Sequence, residues 1–211
     1  DCKIMLENLR SPLKKIIEPL AAALVRAHIS ANAVTVAGSV LTIVVAICTG
    51  MSGYLFAGAA VLTVLVLFDS LDGSVAALSG GGTAFGAFLD STLDRIADWV
   101  LLLAVILYFA LHTPIDNAWT IIGIISALTA MLTSFVTPYA RARAEAVGFE
   151  AKNGIATRAD RITIILIALA LRGLGAPVAV LALAMLLLTV LGIITVFQRI
   201  ATVYKQSVHS V

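Results

Sequence analysis

The stretch 54–112 reads YLFAGAAVLTVLVLFDSLDGSVAALSGGGTAFGAFLDSTLDRIADWVLLLAVILYFALH. Two apolar runs, 54–79 and 84–112, flank a short loop at Gly80, Gly81 and Gly82. Each is long enough to cross a bilayer, for which about 20 mostly apolar residues suffice. Four aspartates interrupt them: Asp69 and Asp72 in the first run, Asp90 and Asp94 in the second. An ionised carboxylate in a spanning segment is costly unless it is paired, hydrated or metal-bound, so each marks a candidate functional position. The first pair is spaced i, i+3 and the second i, i+4, which predicts that each pair shares one face of its helix. A loop this short makes the two helices antiparallel neighbours, and all four carboxylates then converge at one membrane interface.

The rest of the chain supports a membrane reading. Of 211 residues, 61% are hydrophobic and 12% charged, the latter roughly half of what soluble domains carry. Further apolar stretches at 31–51, 117–146, 159–173 and 176–203 bring the expected spans to six. The stretch 159–173 is the weakest, because its uninterrupted apolar core, 162–171, is short. Before them, Leu9, Leu13, Ile16, Ile17, Leu20 and Leu24 recur at helical spacing, with Arg10, Lys14, Lys15 and Glu18 on another face. That pattern suits a helix lying in the bilayer interface. Its apolar face alone would equally suit packing on protein, and the basic residues beside it favour the membrane. The expected fold is therefore an all-α integral membrane protein, six transmembrane helices preceded by an N-terminal amphipathic interfacial helix. The whole of 1–211 forms one domain, with the interfacial helix at 8–27, the bundle at 31–205, and residues 1–5 read as a remnant foreign to the native protein.

Orientation follows from the basic residues. With the N-terminus inside and six crossings, of 14 Lys and Arg only Arg172 falls on the outer side, as the positive-inside rule requires. Both termini and the aspartates are then cytoplasmic. Residues 1–30 are studded with Lys and Arg and lack a compact apolar core, so no cleavable signal peptide is expected. Cys2 and Cys48 lie far apart and offer neither a disulfide framework nor a zinc site. No nucleic-acid partner is expected.

Four carboxylates in one small volume repel one another unless cations sit among them. Oxygen-only donors select hard ions, so Mg²⁺ is expected, with Mn²⁺ as an alternative, and the number of carboxylates suits two ions, an arrangement used in phosphoryl transfer. His28, His112 and His209 are remote in sequence from the cluster. Gly73, Ala76, Ala77 and Gly86 surround the acids. Small residues in membranes mark close helix packing, and here they equally leave room for a nucleotide to approach the backbone.

From 69 to 94 the chain resembles the signature of the CDP-alcohol phosphotransferases, D-x2-D-G-x2-A-R-x8-G-x3-D-x3-D. It reads Asp69, Asp72, Gly73, Ala76, then Ala77 where the family has Arg, then Gly86, Asp90 and Asp94, with every interval kept. The resemblance implies displacement of CMP from a CDP-linked lipid by an alcohol that attacks the lipid-attached phosphorus. It implies Asp69, Asp72, Asp90 and Asp94 as metal ligands, with Asp94 also the general base. Asn32, Thr35, Gly73, Ala77 and Thr83 would contact the donor, CDP-diacylglycerol. The alternative for Asn32 and Thr35, equally suited to their position, is that they merely cap the first span. At Ala77 a guanidinium contact to the pyrophosphate is lost. The resemblance also implies a homodimer in the lipid bilayer.

The signature reports donor and reaction, and the acceptor must be read elsewhere. Arg141, Arg143, Arg158, Arg161 and Arg199 fall at cytoplasmic ends of the last three spans. The positive-inside rule alone accounts for any one of them, and together they suit a phosphorylated alcohol, because guanidinium matches phosphate geometry. The segments 81–86, 89–95 and 139–145 look like those of the actinobacterial phosphatidylinositol phosphate synthases, and Ser91 stands where phosphatidylglycerophosphate synthases place Pro. Inositol 1-phosphate is then the expected acceptor, held by Arg158 and Arg199, with Arg141 next. The resemblance implies a bacterial, actinobacterial cell membrane. Glycerol 3-phosphate is the alternative acceptor. A cation transporter is the reading from another class, and it would spread polar residues toward the midplane and far side rather than stopping at one interface.

Overall fold

The computed structural model describes residues 19–68, 71–78 and 81–209, without the side chains of Asp72 and His209. All regular structure among them is helical. Residues 19–26 form α1, the described part of a segment whose beginning, with most of the expected interfacial helix 8–27, lies outside the described residues. There follow α2 (Ala31–Ser52), α3 (Leu55–Phe68), α4 (Leu71–Leu78), α5 (Ala84–His112), α6 (Ala118–Ala146), α7 (Arg158–Gly173) and α8 (Val178–His209).

Among the described residues five stretches are long and apolar enough to cross a membrane: Ala31–Ser52, Leu55–Leu78, Ala84–His112, Ala118–Ala146 and Val178–Val208. They match the expected spans within a few residues, with the last helix running on past 203. The expected sixth, 159–173, does form a helix, of 16 residues. At 1.5 Å per residue it is about 24 Å long, short of the roughly 30 Å of a bilayer core. Its polar ends, Arg158, Asp160 and Arg161 at one and Arg172 at the other, are what shorten the apolar stretch.

Contacts divide the chain into two units, Asp1–Val44 with Val61–Ala97, and Val45–Ala60 with Asp98–Val211. In the first, Ala21 of α1 and Leu71 and Val75 of α4 form a buried cluster, against which Leu24, Val25, Ala31, Val34 and Phe68 pack. The described part of α1 thus turns its apolar face onto protein. Ser30 caps α2, its hydroxyl accepting from Ala33 N at 3.3 Å, and Thr83 caps α5, accepting from Gly86 N at 2.9 Å. Such side-chain oxygens satisfy orphan N–H groups at helix starts.

In the second unit α8 packs against α6 and, less extensively, α7. Thr189 donates to the Ser126 carbonyl at 2.7 Å, and a Cβ on Gly192 would sit 2.2 Å from Thr133 Oγ1. Small residues and hydroxyl bridges are how helices approach closely where solvent gives no hydrophobic drive. α7 starts in a capping box between Thr157 and Asp160, which pins its first turn. A close backbone approach occurs at Gly50, whose added Cβ would lie 2.4 Å from the Ala104 carbonyl oxygen. Because backbone cannot yield as a side-chain tip does, Gly50→Ala is expected to destabilise the fold by about 1–3 kcal/mol. A thermal unfolding midpoint in detergent equal to that of the parent would show that this contact is not tight.

Candidate active site

The donor-side residues gather in the first unit. A cavity of about 580 Å³ is lined by residues of the 30–35, 73–76 and 81–90 segments, among them Asn32, Thr35, Gly73, Thr83 and Asp90. Four of the five positions expected to contact the donor therefore share one wall system, and Asp90 joins them. The fifth, Ala77, is exposed on α4 and is not among the lining residues. The cavity owes its shape to missing side chains: a Cβ on Gly86 would meet Asn32 Oδ1 at 3.0 Å and Thr83 Oγ1 at 3.2 Å. Capping of α2 falls to Ser30, and the Asn32 side chain turns toward Gly86 instead. Thr35 donates back to the Ala31 carbonyl at 3.0 Å. Asn32 also heads an apolar groove along α2, lined by Val36, Val40, Leu41 and Val44.

Of the four aspartates, Asp69 lies outside the described residues, and Asp72 is described as a backbone position of α4 without its side chain. Asp90 and Asp94 are half-buried one turn apart on α5, hence on one face. Asp94 Oδ2 lies 3.7 Å from Arg95 Nη2, while Arg95 Nε donates to the Ser91 carbonyl at 3.3 Å. Among the described residues no three acidic, His or Cys side chains gather into a metal cluster. The described donors are all carboxylate oxygens, the chemistry that fits a hard divalent ion. His112 is engaged elsewhere, with Nε2 2.9 Å from the Met51 carbonyl and its ring stacked on Tyr108.

The arginines belong to the second unit. Arg199 donates through Nε to the Asn153 carbonyl at 3.0 Å and through Nη1 to the Thr137 carbonyl. Arg141 and Arg161 stand near enough for their charges to bear on it. Arg141 pairs with Glu145 at 2.9 Å on the exposed side of α6. Arg158, in the first turn of α7, is tied through Nε to Asp98 Oδ1 at 3.0 Å. Arg161 reaches the other oxygen of that carboxylate, Nη2 to Oδ2, at 3.2 Å.

Asp98 is the residue that sequence reasoning missed. It continues the i, i+4 series of Asp90 and Asp94 along α5, and it is followed by an uninterrupted apolar run. The argument from the cost of intramembrane charge, applied to the other four aspartates, singles it out equally well.

The CDP-alcohol phosphatidyltransferase family model matches residues 28–193. The phosphatidylinositol phosphate synthase of Cutibacterium acnes is 39% identical over 209 residues, covering 95% of this chain and 98% of that protein. The crystal structure of the Mycobacterium tuberculosis phosphatidylinositol phosphate synthase with CDP-DAG bound is similar at TM-score 0.83 and 36% identity, over 90% of this chain and 94% of that one. The same enzyme in complex with manganese and citrate is similar at TM-score 0.83 and 35% identity, over 89% of this chain and 88% of that one.

Proposed function

The chain belongs to the CDP-alcohol phosphatidyltransferase family, and from that premise we propose that it transfers the phosphatidyl group of CDP-diacylglycerol to inositol 1-phosphate, giving phosphatidylinositol phosphate and CMP. The similarity to phosphatidylinositol phosphate synthases supports inositol 1-phosphate as the acceptor, and the gathering of Arg141, Arg161 and Arg199 in the second unit supports an acceptor that carries a phosphate. An acceptor without a phosphate needs no such concentration of guanidinium groups, whereas a phosphomonoester brings an anion that guanidinium binds in its own plane.

Donor binding is assigned to the first unit. The cavity bounded by Asn32, Thr35, Gly73 and Thr83 takes the cytidine end of the donor, with the α2 groove beside Asn32 left for an acyl chain. Ala77 offers the pyrophosphate no charge, so donor binding rests on these neutral groups and on the metal. Asp69, Asp72, Asp90 and Asp94 would hold Mg²⁺, two ions in all, with Mn²⁺ able to replace it. When bound, the cations neutralise the pyrophosphate oxygens and the charge that builds on the departing CMP. Asp94 accepts the proton of the inositol hydroxyl as its oxygen attacks the lipid-attached phosphorus. The bond from that phosphorus to the CMP oxygen breaks, and CMP leaves with the electron pair. Arg158, Arg199 and Arg141 hold the acceptor phosphate and so orient the hydroxyl.

The chain as a whole serves as a single domain, with α7 as a sixth crossing, shortened by its polar ends, and residues 8–27 as an interfacial helix. This topology leaves thirteen of fourteen basic residues, all but Arg172, with both termini and the active site on the cytoplasmic side. The membrane is that of an actinobacterial cell, and the working unit is a homodimer.

The test is CMP release by the purified protein with Mg²⁺ and CDP-diacylglycerol, comparing inositol 1-phosphate, glycerol 3-phosphate, serine and free inositol. Inositol 1-phosphate is expected to give the highest kcat/KM, and free inositol, lacking the anion, at least about a hundredfold less, the loss expected when charge-assisted hydrogen bonds are removed. A preference for glycerol 3-phosphate would sink the acceptor assignment and leave the reaction class standing.

A further inference from the structure

We infer that Asp98 is a positioning residue for the acceptor site: its one carboxylate holds both Arg158 and Arg161 at the start of α7, in the arrangement in which the arginine cluster receives a phosphomonoester. The inference rests on the acceptor reading above.

Its first ground is burial. Asp98 is 6% exposed and Arg161 7%, so both charges have left water. A buried ion pair rarely adds stability over an apolar substitute of the same shape, because desolvating two charges offsets most of their attraction. Stability alone therefore gives little reason for the pair, whereas fixing a guanidinium in one orientation requires such a partner. Bidentate sharing does so for two side chains at once, with Arg158 Nε on Oδ1 at 3.0 Å and Arg161 Nη2 on Oδ2 at 3.2 Å.

A second ground is the helix end. α7 begins at Arg158, and cations in a first turn oppose the positive end of the helix dipole. The capping box supplies Asp160, whose carboxylate accepts from Thr157 N at 2.8 Å and from the Thr157 hydroxyl at 2.7 Å. Asp160 is thus spent on the cap, and Asp98, from another helix, compensates the arginines.

The third ground is charge. Arg199 faces the like charges of Arg141 and Arg161. The hydrogen bonds of Arg199 go to neutral carbonyls, and among the described residues no carboxylate lies within ion-pair distance of it. A phosphate monoester carries about −1.5 to −2 at neutral pH and is the kind of anion that relieves such repulsion.

Asp98→Asn removes the charge and keeps the shape. With the full chain and Mg²⁺, the KM for inositol 1-phosphate is expected to rise about 10- to 100-fold, as for loss of a charge-assisted contact. The KM for CDP-diacylglycerol should stay within about twofold, and Asp98→Glu should recover part of the loss. Calorimetric binding of inorganic phosphate should weaken by a similar factor, a measurement that needs no turnover. If the parent binds phosphate, Asp98→Asn weakens it and inositol 1-phosphate is not used, the acceptor identity fails and the role of Asp98 stands. Should Asp98→Asn not fold, Asp98→Glu carries the test, since it keeps the charge and moves the carboxylate by one methylene: the acceptor KM should rise and phosphate affinity fall, each by less than for Asp98→Asn, with the KM for CDP-diacylglycerol unchanged. A folded variant with unchanged acceptor KM and phosphate affinity overturns the inference, as does an equal rise in both KM values with a fall in melting temperature, which would mark a purely structural role.

Discussion

Asp94→Asn is expected to lower kcat for CMP release by about a thousandfold while leaving CDP-diacylglycerol binding within a few-fold. The change is nearly isosteric, so the i, i+4 placement beside Asp90 and the helix itself persist. What is lost is a group able to take a proton, and general-base catalysis contributes roughly 10²–10⁴ in rate. The base role suits Asp94 better than Asp90 on structural grounds. Asp90 lines the cavity assigned to the donor, whereas Asp94 is not among its lining residues and stands one turn further along α5, beside Arg95 at 3.7 Å. A carboxamide at 94 still offers one oxygen to a cation, so the donor should remain held. The measurement is single-turnover CMP release alongside equilibrium binding of a non-reactive CDP-lipid analogue. Substantial turnover in the variant removes Asp94 as the base, and loss of donor binding in step with rate makes it a ligand first.

Where hydrophobic pattern speaks for a whole segment, the sequence and the structure agree to within a few residues. α2, α5 and α6 begin where apolar runs follow Ser30, Thr83 and Asn117, because such residues cap helices. α7 was legible as a helix with a short apolar core, yet its ends were not, since four charged residues can belong either to the helix or to its flanks. Similar ambiguity surrounded Asn32, which is polar and near a helix start, and only coordinates distinguish it from Ser30, whose hydroxyl does the capping.

The site divides in the same way. Spacing alone puts Asp90 and Asp94 on one face of α5, because both residues belong to one helix and its period is known. The meeting of Asn32 with Thr83 and Gly86 is long-range, and no local period encodes it. The pairing of Asp98 with Arg158 and Arg161 is long-range too. Asp98 itself was legible as an anomalous charge, and what hid it was its place one turn beyond a signature that ends at Asp94. A family pattern draws attention to the residues it contains, while the electrostatic cost of a charge in an apolar helix applies to every residue alike.

Chelating divalent cations with EDTA is expected to bring CMP release down to background, and adding Mg²⁺ to restore it, with Mn²⁺ also effective. The reason lies in the donor set. Asp90 and Asp94 occupy one face of one helix, and with Asp69 and Asp72 assigned to the same centre four like charges have no basic residue among them in the signature itself. Their mutual repulsion disfavours the folded arrangement until a cation binds, so metal should also raise the melting temperature, as any ligand of the folded state does. Zn²⁺ should restore little, because oxygen donors without imidazole or thiolate favour harder ions. Asp90→Asn should diminish the Mg²⁺-dependent melting shift as well as the rate, which separates a ligand from a residue that acts only on the acceptor: Asp98→Asn should leave that shift intact. Full activity in EDTA, or a melting shift unaffected by Asp90→Asn, would sink the metal assignment, and with it the division of labour between Asp94 and its neighbours.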